Sequence, residues 1–146
     1  AMPLFSGEEF RAFIGRADYV AVNSYESSLL SERTGWSEAE IARRVKACVV
    51  THGADGSVIH ADGTTHVIPA AKTREVVDPT GCGDAYRAGL IFGILRGLDW
   101  PTTGRVASLM GALKIACPGT QNHRFDAAGF ANEFKAQFGQ SLCDRP

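Results

Sequence analysis

A glycine-rich turn set directly against a helix of small residues constrains this chain more than any other feature. It runs Val77-Asp78-Pro79-Thr80-Gly81-Cys82-Gly83-Asp84-Ala85-Tyr86-Arg87-Ala88-Gly89. The backbone N–H groups of Gly81, Cys82 and Gly83 would lie at the helix start. Amides there have no intrahelical partner and the helix dipole is positive, so the turn predicts an anion site. Asp84 would stand at the rim of that site. An anion hole beside a carboxylate is the pair of groups that phosphoryl transfer to a hydroxyl requires. Taken alone, the same residues also suit a helix-capping loop, in which Asp84 stabilises the dipole by under ~1 kcal/mol.

A chain of 146 residues fits one domain, 1–146, and can bury a core of its own. With 45% hydrophobic and 21% charged residues, its composition is that of an ordinary water-soluble globular chain. A formal net charge of -1 gives no reason to expect nucleic acid or an anionic membrane as partner. No apolar run approaches the roughly 20 residues needed to span a bilayer, and no basic-then-apolar leader opens the sequence. The four cysteines, Cys48, Cys82, Cys117 and Cys143, lack metal-type spacing. They read as free thiols in a reducing cytoplasm. Ala1-Met2 reads either as a residual residue before a start codon or as an interior piece of a longer chain.

Local patterns predict alternating helices and strands. Gly7 to Ala17 reads as a helix with Phe10, Phe13 and Ile14 on one face. Asp18 to Asn23 reads as a short strand, followed by a helix from about Tyr25 to Arg33 that breaks at Gly35. Ser37-Glu38-Ala39-Glu40 is a capping box opening a helix to about Lys46. Ala47 to Thr51 is a buried-type strand. Ser57 to His60 and Thr65 to Pro69 form a hairpin around Ala61-Asp62-Gly63. Glu75 to Val77 is a brief strand. A helix from Asp84 to about Leu98 carries Ala85, Ala88, Gly89, Gly93 and Gly97, small residues that predict close approach to a sheet. Pro101 opens a helix from about Thr102 to Ala116. Asp126 to about Phe138 is a third, with Phe130, Phe134 and Phe138 as a core stripe. The whole reads as an α/β sheet covered on both faces.

The glycine turn resembles the signature of the ribokinase-like (PfkB) carbohydrate and nucleoside kinases, Asp-x-Thr-Gly-Ala-Gly-Asp before a small-residue helix. Asp78, Thr80, Gly81, Gly83 and Asp84 match, and Cys82 stands where the family usually has Ala, Gly or Ser. The resemblance covers nearly all of this chain but only the C-terminal half of a usual member; within the family it leaves open both an adenosine-kinase-like member acting on a nucleoside, notably adenosine, and one acting on a simple furanose sugar. It implies a ribokinase-like three-layer α/β/α sandwich, C-terminal portion only. It also implies transfer of the γ-phosphate of ATP to a hydroxymethyl group of a sugar or nucleoside. Asp84 would orient and deprotonate the hydroxyl, with Gly81, Cys82 and Gly83 neutralising developing charge.

Three further segments carry the same resemblance. Asn23-Ser24-Tyr25-Glu26 matches the family's Asn-x-x-Glu, which implies that Asn23 and Glu26 serve the nucleotide phosphates and that Glu26 holds Mg2+ through water. The other reading has Asn23 ending a strand and Glu26 capping the next helix. Thr51-His52-Gly53-Ala54-Asp55-Gly56 resembles Thr-x-Gly-x-x-Gly, in which Thr51, Gly53 and Gly56 lie against the nucleotide; an Asp-Gly turn between strands explains it equally well. Asp78 and Thr80, with Gly119 in Cys117-Pro118-Gly119-Thr120-Gln121-Asn122-His123, correspond to loops that bind a monovalent cation, K+, in many relatives. His123 departs from the small hydroxyl or amide residue expected there. The helix around Ala107, Ser108 and Gly111 has residues small enough to accept adenine.

Other candidates carry less. His52, His60 and His66 lack ligand spacing and read as solvated. Cys82 would sit among first-turn amides that lower a thiol pKa, but no histidine lies close in sequence to make a nucleophile pair. Arg87 would pair with Asp84 on the surface or reach a phosphate. No Gly-x-x-x-x-Gly-Lys-Ser/Thr run is present, and no Gly-x-Gly-x-x-Gly follows the first strand. Two functions follow: a kinase half that needs an N-terminal half or a homo-oligomer to cover exposed surface, or a nucleotide-binding module without turnover of its own.

Overall fold

The computed structural model describes residues 6–72, 82–116 and 127–142. The chain divides into two compact units, Ala1–Ile68 and Pro69–Pro146.

The first unit is built on a sheet of four strands in the order β1-β2-β3-β4: Tyr19–Asn23, Ala47–Thr51, Ser57–Ala61 and Thr64–Ile68. β1 and β2 are parallel, with Val20 opposite Cys48 and Val22 opposite Val50. The β2–β3 and β3–β4 pairs are antiparallel. The second of these is the hairpin expected from Asp62-Gly63, whose φ angles of 54 and 72 are those a two-residue type I′ turn demands.

Three helices belong to this unit: α1 (Gly7–Arg16), α2 (Ser24–Thr34) and α3 (Glu38–Ala42). Each opens with a reciprocal capping box, Ser6 with Glu9, Asn23 with Glu26 and Ser37 with Glu40. Their apolar faces give Phe10, Ile14, Leu30 and Ile41 to a core shared with Cys48 and Val50. The alternate residues of the strands, among them Ala47, Val49, Ile59, Ala61 and Ile68, are buried too. α3 ends well short of the expected Lys46. The Lys46 N–H donates to the Asp18 carbonyl at 2.7 Å, so the chain is already aligned for entry into β2 beside β1. That pairing outweighs the helix propensity of Arg43 to Lys46.

The second unit holds α4 (Cys82–Leu95), α5 (Trp100–Ala116) and α6 (Ala127–Phe138). α4 is shorter than the expected run to Leu98. The Leu98 N–H reaches back to the Gly93 carbonyl and the Gly97 N–H to Ile94, the paired bonds of a Schellman ending. Two of its glycines, Gly89 and Gly93, meet α5. A Cβ on Gly89 would lie 2.6 Å from the Ala107 Cα, and one on Gly93 would lie 2.5 Å from the Thr103 hydroxyl. α5 begins before Pro101: the Asp99 carboxylate accepts the Thr102 N–H at 2.8 Å and caps it. The aromatic stripe of α6 is core as expected. Phe134 is fully buried, with Phe138 edge-on at 5.0 Å and Phe130 stacked at 6.4 Å. The expected strand Glu75 to Val77 lies outside the described residues.

Candidate functional site

Asp84 occupies the third position of α4, because the helix begins at Cys82 rather than at Asp84 itself. The amides of Cys82, Gly83 and Asp84 therefore belong to the first turn, which has no intrahelical acceptors. The Asp84 side chain is 89% exposed, and the Arg87 guanidinium approaches its Oδ1 at 3.4 Å. A contact that long between exposed groups orients the carboxylate weakly and leaves it accessible. Gly83 is exposed as well. Gly81, Asp78, Thr80, Gly119 and His123 lie outside the described residues.

Asn23 and Glu26 are joined as a capping box. The Asn23 Oδ1 accepts the Glu26 N–H at 2.7 Å, and the Glu26 Oε1 accepts the Asn23 N–H at 2.9 Å. The local arrangement is thus the capping one, and it fixes the Glu26 carboxylate over the first turn of α2. Asn23 is exposed and Glu26 half-buried.

Thr51 ends β2 and pairs with Ser57. Between them His52 to Gly56 form a tight loop with a short 3-10 turn at Gly53–Asp55, closed by the His52 N–H on the Gly56 carbonyl at 2.8 Å. Gly53 has φ 60, and Gly56 has φ 92 with ψ -146. The Gly56 conformation is essentially closed to residues with a Cβ, so the loop's shape requires glycine there. Gly53 is exposed and Gly56 buried.

On α5, Ala107 is fully buried and its backbone stands against Gly89. Ser108 and Gly111 are also buried in the described structure.

Two features escaped the sequence reading. A cavity of about 390 Å³ is lined by Ser24, Ser27, Ser28, Ser31, Glu38, Val50 and His52. Four serines at helical spacing were the available signal. His60 is half-buried rather than freely solvated. Its Nε2 lies 2.5 Å from the Glu38 Oε2 and its Nδ1 3.2 Å from the Thr65 hydroxyl, while the Ser27 hydroxyl donates to the Glu38 Oε1 at 3.3 Å. Beside this chain, burial and then the Glu38 charge push the Cys48 thiol up to about 11. His52 is exposed, as expected.

Among the described residues, no cluster of three or more His, Cys, Asp and Glu side chains could hold a metal ion. No helix among them is long and apolar enough to cross a membrane.

The sequence pattern of the pfkB family carbohydrate kinases matches residues 3–127. A nucleoside kinase of Methanothermobacter thermautotrophicus is 32% identical over 137 residues, covering 93% of this chain and 44% of that one. A nucleoside kinase of Methanocaldococcus jannaschii is 30% identical over 122 residues, covering 84% and 40%. The structure of Burkholderia thailandensis nucleoside kinase in complex with inosine superimposes with a TM-score of 0.93 at 49% identity, over 96% of this chain and 47% of that chain. The same enzyme is known in complex with ADP-inosine. The fold is therefore α/β and ribokinase-like. The chain spans less than half the length of each of these relatives.

Proposed function

The chain belongs to the pfkB family of carbohydrate kinases, and from that premise we propose that it supplies the nucleotide-binding and catalytic-base half of an ATP-dependent nucleoside kinase. The observation that carries the reading is the place of Asp84, exposed in the first turn of α4 directly after the amides of Cys82 and Gly83. A nucleoside is favoured over a free sugar as acceptor because the relatives reported above are nucleoside kinases.

In the proposed reaction Asp84 accepts a hydrogen bond from the acceptor's hydroxymethyl oxygen and takes its proton as the new P–O bond forms. A carboxylate of ordinary basicity suffices, because the phosphoryl transition state is loose and the hydroxyl proton leaves late. The amides of Gly81, Cys82 and Gly83 receive the charge developing on the transferred group. The Cys82 thiol has no part in this, so Cys82→Ala is expected to be tolerated. Thr51, Gly53 and Gly56 offer main chain to the nucleotide, and Ser108 and Gly111 border its base.

Mg2+ enters with the nucleotide and would neutralise phosphate charge. The residues suit it: Glu26 is a single hard oxygen donor held rigidly by its capping bond, appropriate for gripping a water of a hydrated ion rather than for a protein cage. K+ at Asp78, Thr80 and Gly119 belongs to the same proposal, as does a cytoplasmic setting.

A second reading, a nucleotide-binding module without turnover, is favoured by one fact: the chain spans only 40% to 47% of these relatives. Calorimetry with Mg-ATP, followed by a phosphorylation screen over ribose, other furanoses and nucleosides, separates the cases. The proposal predicts weak Mg-ATP binding and no efficient phosphorylation by the purified chain alone. Efficient phosphorylation would overturn the half-enzyme reading, and absence of nucleotide binding would overturn both.

A further inference from the structure

α4 holds its one basic side chain against the helix dipole. Cations are stabilised near a helix C-terminus, and α1, α2 and α6 each carry one in the last turn: Arg16, Arg33 and Lys135. The last turn of α4 has none, and Arg87 is the only Lys or Arg from Cys82 to Leu95. Its side chain runs back toward the N-terminus, the direction in which helical side chains lean. The Nη1 atom stands 3.4 Å from the Asp84 Oδ1 and 3.6 Å from the position a Cβ on Gly83 would take. A full positive charge is thus carried over the first turn, where the dipole opposes it.

Asp84 is a weak reason for that placement. The contact is long, the two side chains are 47% and 89% exposed, and ion pairs of this kind contribute little. The guanidinium and the first-turn amides of Cys82 and Gly83 share one complementary ligand, an anion. A phosphoryl group in transfer spreads its charge over three equatorial oxygens. Amides offer those oxygens partial charges, whereas a guanidinium offers a full charge and two parallel donors shaped for a phosphate edge.

We infer that Arg87 is a further catalytic residue, whose guanidinium binds the γ-phosphoryl group of ATP beside the amides of Cys82 and Gly83. This role rests on the proposed function. As the bond from the γ-phosphorus to the β,γ-bridging oxygen breaks, the bond to the acceptor's hydroxymethyl oxygen forms. The hydroxyl proton passes to Asp84, and ADP leaves with the electron pair. Arg87 exchanges its weak contact with Oδ1 for the phosphoryl oxygens, which frees that carboxylate oxygen to accept the hydroxyl. The residue therefore distinguishes ATP from ADP and leaves the nucleoside parts of both substrates untouched.

Calorimetry on the 146-residue chain compares Mg-ATP with Mg-ADP, with Arg87 and with Arg87→Ala. The substitution should weaken ATP binding about tenfold and leave ADP binding unchanged. Turnover is read with this chain in place of the matching portion of Burkholderia thailandensis nucleoside kinase. There Arg87→Ala should lower kcat by ~10²-fold with little change in the KM for inosine. Guanidinium ion at a non-denaturing concentration should restore part of the loss, and Arg87→Lys should keep part of the rate. An unchanged preference for ATP over ADP in Arg87→Ala would overturn the inference. So would a loss of turnover that comes with a lower melting temperature and that guanidinium does not relieve. Normal turnover in Arg87→Ala where Asp84→Asn is inactive would overturn it too, and would leave the proposed function standing. Normal turnover in Asp84→Asn would overturn the proposed function and this role with it.

Discussion

Gly89 and Ala107 bring the backbones of α4 and α5 into direct contact: a Cβ on Gly89 would lie 2.6 Å from the Ala107 Cα and 3.1 Å from its nitrogen. Backbone atoms cannot step aside as a flexible side chain can. Gly89→Ala should therefore destabilise the chain by about 1–3 kcal/mol despite the better helix propensity of alanine. Gly15 in α1 is the internal control, since a Cβ there meets nothing within 4 Å. Gly15→Ala should be neutral or stabilise by up to ~1 kcal/mol. Urea unfolding of the two variants checks both signs in one experiment.

The reciprocal bonds between Asn23 and Glu26 lead to a separation of roles. Asn23→Ala removes the cap of α2 and should cost ~1 kcal/mol of stability. Glu26→Gln keeps an acceptor for the Asn23 N–H, so thermal unfolding should shift little. If Glu26 serves Mg2+, the same substitution should weaken ATP binding in Mg2+ while leaving Mg-free binding unchanged. Calorimetry with and without Mg2+ reads the difference. Equal binding in both would remove Glu26 from the metal's surroundings.

Cys48 gives a pH dependence with a definite sign. Its thiol is raised from 9.0 to about 11 by burial first and the Glu38 charge second. Above pH 9 the unfolded chain loses this proton while the folded chain keeps it. The contribution to stability is complete below about pH 9 and is lost as pH rises through about 11. The melting temperature of the wild type should fall more steeply across that window than that of Cys48→Ala. Alkylation of Cys48 in the folded chain at pH 8 should also be slow.

The legible parts of this fold are those whose signals are local. Ala47–Thr51 is a short apolar run and matches its strand residue for residue, and Asp62-Gly63 names its own turn type. Non-local competition was not legible. The helix pattern of Glu38 to Lys46 gives no warning that Lys46 must bond Asp18 to start a parallel strand. Small residues in α4 announce a close approach but do not name the partner, which for Gly89 and Gly93 is α5. His60 read as solvated because Glu38 lies 22 residues away and is brought to it by the packing of α3 against β3. At the candidate site, Asn23-x-x-Glu26 is ambiguous in principle: a capping box and an outer Mg2+ ligand call for the same residue types at the same spacing. The structure places the cap, and a cap held this way also presents the carboxylate that the second role needs.

Asp84 is the proposed base of phosphoryl transfer. Its most direct test exchanges this 146-residue segment for the matching portion of Burkholderia thailandensis nucleoside kinase, to which it is 49% identical. Turnover of ATP with inosine is then measured with Asp84 and with Asp84→Asn. The chimera should phosphorylate inosine, and Asp84→Asn should lower turnover by ~10²-fold or more with little change in ATP affinity. A chimera in which Asp84→Asn keeps near-unchanged turnover would contradict that role.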